Sequence, residues 1–147
     1  MGILIPSKVA IVLRASATGQ QMAQAVTEAA TIEPSFAQRR VKYRRAPGIG
    51  AGTLYKIDPA QAAQEHGLAT PPAVATEVDL CGMVVRVLLS ADRQGAEGRF
   101  MCVSSPLDYG TAAVDGFPWT EALADRTAEF LTNMGIQSRL EVIKARG

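Results

Sequence analysis

The chain has 147 residues, 48% of them hydrophobic and 20% charged, with aromatics held to 5%. That composition excludes a disordered or low-complexity chain, and the length suffices for one domain with a buried core of Val, Leu, Ile, Met and Ala. Fifteen basic and fourteen acidic side chains leave a net charge of +1, so no global field draws the protein to nucleic acid or membrane, and any such binding must come from a local patch.

The opening "MGILIPSKVAIVLRA" is apolar but interrupted by Pro6, Ser7 and Lys8. It lacks both the basic start of a signal peptide and the uninterrupted run of a membrane span. Pro6 also stands where a myristoylation signal needs Ser or Thr. The expectation is a soluble cytoplasmic protein with no membrane partner. Cys81 and Cys102, both in apolar strand-like surroundings, read there as reduced thiols.

Lys8 to Arg14, "KVAIVLR", carries apolar side chains on both faces, as a strand covered on both sides would, and is placed centrally in a sheet. Thr18 caps the helix that follows, and Gln21 three residues later completes a capping box. Met22, Val26, Ala29 and Ala30 form its apolar stripe, and Glu33-Pro34 ends it. Arg39 to Arg45 and Thr53 to Ile57 read as two strands joined through "APGIGAG". Asp58 caps a short helix with Pro59 at its first position, and Gly67 stops it.

Thr70-Pro71-Pro72 marks a loop, the best place for a hinge near 70–73. Val78 to Leu89, "VDLCGMVVRVLL", is the most apolar segment, with a bulge expected at Gly82. Ala91 to Gly98 has turn chemistry, and Arg99 to Ser105 returns as a hairpin partner. A loop, "PLDYGTAAVDGFP", leads to a second long helix over Trp119 to Met134, stopped at Gly135. "SRLEVIKA" closes the chain as a strand with Leu140 and Val142 on one face. These elements predict a single α+β domain over 1–147. Its mixed, mostly antiparallel sheet has about five to six strands, with two main helices and one short helix on one face.

The stretch "KVAIVLRASATGQQMAQ" is similar to the first strand and helix of the type 2 peptidyl-tRNA hydrolase-like fold. The resemblance covers under an eighth of the chain, and no activity or catalytic residue is carried over from it.

Four places could carry chemistry. Alternation along the basic strand puts Arg40, Lys42 and Arg44 on one face, with Arg39, Arg45 and Lys56 nearby. Their spacing of about 7 Å, from a rise of ~3.4 Å per residue, approximates that of phosphates along a nucleic-acid strand. Tyr43 falls on the opposite face, so the base-stacking half is lost, and a solvated edge strand accounts for the same charges. "GIGAG" leads into a strand rather than a helix, which fits a hairpin loop and not a dinucleotide loop.

The turn at Arg14, Thr18, Gly19 and Gln20 could bind an anion, because free amides open the helix and Arg14 could add charge; such turns are also ordinary in α/β units. Phe117 and Trp119 could anchor a protein partner, although buried packing explains a lone Trp as well. His66 is the only histidine, and its spacing to Cys81 and Cys102 fits no zinc motif. No metal or cofactor is therefore expected. Asp108 and Asp115 flank a Gly-containing loop with Tyr109, but two carboxylates seven residues apart do not define an acid–base pair.

The reading that follows is a non-enzymatic protein-interaction or assembly module, with a protein partner or self-association. Binding of nucleic acid or another polyanion by the basic hairpin is the second reading. A small enzyme with an anion site at the first strand-to-helix turn is the third.

Overall fold

The computed structural model describes residues 2–4, 9–31, 53–80, 82–108, 112–113 and 116–144. Its strands are β1 (Gly2–Leu4), β2 (Val9–Ala15), β3 (Thr53–Ile57), β4 (Val74–Leu80), β5 (Met83–Ala91), β6 (Ala96–Asp108), β7 (Ala112–Ala113) and β8 (Ser138–Lys144). Its helices are α1 (Gly19–Thr31), α2 (Pro59–Glu65) and α3 (Phe117–Asn133). Six strands run in the order β3-β4-β5-β6-β2-β8, and β1 and β7 also pair with β6. Each of these pairs is antiparallel, so the fold is α+β. Strands on both sides of the 70–73 loop join this one sheet.

The local signals act as the residue types dictate. Gln21 donates its amide to Thr18 Oγ1 at 3.1 Å, and the Thr18 amide returns to Gln21 Oε1 at 2.9 Å, a reciprocal capping box. Asp58 Oδ1 accepts from the Ala60 amide at 3.1 Å ahead of Pro59. Gly67 (φ +63°) and Gly135 (φ +80°) follow the ends of α2 and α3 in the left-handed region.

The apolar segment from Val78 to Leu89 departs from expectation. It is a hairpin and not a bulged strand: Leu80 pairs with Met83, and Gly82 takes φ +96° at the reversal. The Asp79 carboxylate clamps the turn by accepting from the Gly82 amide at 2.7 Å. The register irregularity lies instead between Val84 and Val85, opposite Ser104 and Cys102 of β6. β6 is also longer than expected and runs on to Asp108, with β7 beside it, where the sequence suggested a loop.

Alternation along the strands builds two cores. On one face Met22 and Val26 of α1 and Leu123 and Leu131 of α3 pack over Ile11, Leu13, Val85, Val87 and Phe100. On the other face Ala62 of α2 is buried with Ala75, Leu88, Met101 and Val103. The expectation of helices on one face is thus corrected. Between the residues of the first set, Ala75, Leu88, Met101 and Val103 form an apolar patch on the opposite face, and leaving it in water would be costly. The short α2 covers them closely because Ala62 and Ala63 present no bulk.

Candidate interaction surface

Most of the sequence-nominated residues are occupied or lie elsewhere. Residues 39–45, which include Arg39, Arg40, Lys42, Arg44 and Arg45, lie outside the described residues, while Lys56 is exposed on β3, which ends the strand order among the described residues. At the first strand-to-helix turn, the Thr18 hydroxyl and amide are both used in the capping box. Arg14 is committed to carboxylates: Nη1 donates to Glu141 at 2.7 Å, and Nε stands 3.5 Å from Glu97. Register places Arg14 beside Glu97 on the sheet face opposite α1, so its charge is not aimed at the Gly19 and Gln20 amides. Trp119 is 4% exposed and belongs to the core, and Phe117 packs partly buried against the same cluster.

The strongest polar constellation surrounds Arg86, whose side chain is 13% exposed. Its Nε and Nη2 donate to Glu77 Oε2 at 3.0 and 2.7 Å, while Nη1 reaches both Glu65 and His66 Nε2. Glu77 is the directly paired residue on β4, and Glu65 and His66 end α2. The network therefore ties α2 to the sheet. Hydrogen bonding to Arg86, then its charge, hold the Glu65 carboxyl below its ordinary range. Burial, then the positive charge of Arg86, hold His66 below its ordinary value of 6.5. Cys102 lies on the other face, with its thiol 3.4 Å from Met83 Sδ. The sheet separates the only histidine from that thiol, so the two cannot act as a nucleophile–base pair.

An open groove of about 580 Å³ lies where β2, the β5–β6 turn and β8 end, lined by Arg14, Ser16, Asp92, Glu97 and Arg139 among others. Asp92 is used within its own turn, accepting from the Gln94 and Gly95 amides at 2.7 and 3.1 Å. Among the described residues no cluster of His, Cys, Asp and Glu could hold a metal ion. Among them too, no helix is long and apolar enough to cross a membrane.

What sequence reasoning missed is the edge. β8 pairs with β2 in unbroken register from Lys144 opposite Val9 to Ser138 opposite Ala15. Among the described residues its other side has no strand partner. Leu140 and Val142 point to the helix face, opposite buried Leu13 and Ile11, yet they are 37% and 51% exposed. Seven residues without proline or bulge, carrying two exposed aliphatics beside the charges of Arg139, Glu141 and Lys144, leave an edge whose backbone is open to pairing. The alternation was visible in "SRLEVIK", but only the strand order reveals that β8 is outermost. No family model, curated protein or solved structure matches the chain.

Proposed function

We propose that this protein is a non-enzymatic assembly module that docks a protein partner along the β8 edge. The observation that carries this reading is the exposure of Leu140 and Val142 on an edge strand that pairs in unbroken register. A partner strand laid there would satisfy the outward amides and carbonyls of β8 and cover both side chains, the mode of recognition known as strand addition. Main-chain hydrogen bonds would supply affinity, and the alternate side chains would supply selectivity. The placement of His66 and Cys102 on opposite faces favours a surface role over nucleophilic chemistry.

A photo-reactive aromatic residue at position 142, compared with the same residue at the exposed Gln24 of α1, tests this in cells expressing the chain. Cross-linked product concentrated at position 142 is the expected result. Equal or absent product at 142, in a chain with a native thermal transition, overturns the reading.

A further inference from the structure

We infer that the occupant of this edge is β8 of a second copy of the chain, paired antiparallel about a two-fold axis at Leu140; this rests on the docking surface proposed above. An antiparallel pair of identical edge strands needs a two-fold perpendicular to the sheet, which keeps both helix layers on the same side. Only registers that oppose residues of the same face are then allowed, because side chains alternate with period two.

Few such registers exist within "SRLEVIK". With the axis at Leu140, Arg139 stands opposite the partner's Glu141 and Glu141 opposite the partner's Arg139, so the two pairs form reciprocally. Leu140 then meets the partner's Leu140, and each Val142 lies on the diagonal, placing four exposed aliphatic side chains in one cluster on the helix face. An axis at Glu141 sets carboxylate against carboxylate, and an axis at Arg139 sets guanidinium against guanidinium. An axis at Val142 places Leu140 against Lys144. Like charges directly opposite disfavour the Glu141 and Arg139 axes, and of the others only the axis at Leu140 opposes Arg139 to Glu141, so the strand's own charge order selects Leu140. Self-complementarity of this kind is what an isologous interface requires.

The pairing joins two six-strand runs into one sheet of twelve. Arg14 lies beside Glu141 at 2.7 Å, so the partner's Arg139 would complete an Arg–Glu–Arg arrangement across the joint. Exposed ion pairs add little affinity singly, and the ladder and the aliphatic cluster carry most of it. The charges fix the register.

Cysteine cross-linking reads that register directly. Residues directly opposed in an antiparallel pair have Cα atoms about 4.5–5.5 Å apart, within disulfide reach. Leu140→Cys is expected to give a covalent dimer under copper-catalysed air oxidation. Val142→Cys, whose counterpart would lie roughly 14 Å away at ~3.4 Å per residue, should give no more than the wild-type chain. Arg139→Glu and Glu141→Arg alone should each weaken self-association about tenfold by sedimentation. An equimolar mixture of the two, which opposes unlike charges again, should restore a heterodimer. If Glu141→Arg fails to fold after losing its contact with Arg14, the cysteine pair still decides the matter.

Cross-linking at 142 but not at 140, or dimer strength unaffected by either charge reversal, overturns the register. Photo-cross-linking at 142 that yields a different protein and never a product of twice the chain's mass overturns self-pairing while leaving the docking surface intact. No product at 142 removes both.

Discussion

Arg86 donates from Nη1 to Nε2 of His66 across 3.0 Å, and because a guanidinium has no acceptor, the imidazole must receive that bond on a bare nitrogen. The neutral ring therefore carries its proton on Nδ1. His66 is the C-cap of α2, where a protonated ring would favour the helix's negative end. The contact with Arg86 opposes that charge, and the ring serves as an acceptor holding α2 to the sheet.

The acid side of the stability profile follows. Folding favours neutral His66, so its contribution is complete above the ordinary value of 6.5 and is lost as the pH falls through 6.5 toward the lowered folded value. Glu65 acts in a second, lower window: its contribution is present above its ordinary value of 4.5 and is lost as the pH falls through its lowered folded value. His66→Gln keeps an acceptor for Arg86 and removes the first titration. Denaturant midpoints measured from pH 8 to about pH 3 should show the decline just below 6.5 flattened in the variant, with the lower decline retained.

Arg86→Met should be among the most damaging polar substitutions. It leaves the half-buried Glu77 without its two hydrogen bonds at 2.7 and 3.0 Å. The expected cost is about 2 kcal/mol. A double change with Glu77→Leu should recover part of it, because the stranded carboxylate is then gone. Urea unfolding of the two single variants and the double gives the coupling.

Thr18→Ala removes the hydroxyl that accepts from Gln21 and should cost about 1 kcal/mol. Thr18→Ser should restore most of it. Thermal unfolding distinguishes the two.

Gly95→Ala tests the close approach of the β5–β6 turn to the end of β2. A Cβ there would lie 2.3 Å from the Ala15 carbonyl oxygen, backbone that a side-chain movement cannot relieve. A loss of about 2 kcal/mol or more is expected, with amide-exchange protection falling first at Ala15 and Ala96, which pair across this end of the sheet.

Val142→Lys separates fold from assembly. The residue is 51% exposed, so stability of the single chain should change by under about 0.5 kcal/mol. Light scattering should nevertheless show association lost, because a charge at an open edge blocks strand pairing.

The elements themselves were legible wherever short-range chemistry sets them. The Thr18–Gln21 box, the Asp58-Pro59 start, the stop glycines and the apolar stripes Met22–Ala30 and Trp119–Met134 each depend on residues within a few positions of one another. They fold as read. The hairpin at Gly82 was misread because a continuous apolar run looks alike whether it is one bulged strand or two short strands sharing a turn.

Residues a few positions apart thus set the α+β class, the caps and turns, and the apolar stripes. Strand order, the face that α2 covers and the charges that meet come from packing between distant segments. Glu77 reaches Arg86 through the β4–β5 pairing, Arg14 reaches Glu97 and Glu141 through two different strands, and Leu140 and Val142 stand exposed on β8, which ends the strand order among the described residues. Alternation fixes which residues share a face of one strand. Whether that strand lies inside the sheet or at its rim depends on contacts between residues distant in the chain, which no local pattern encodes.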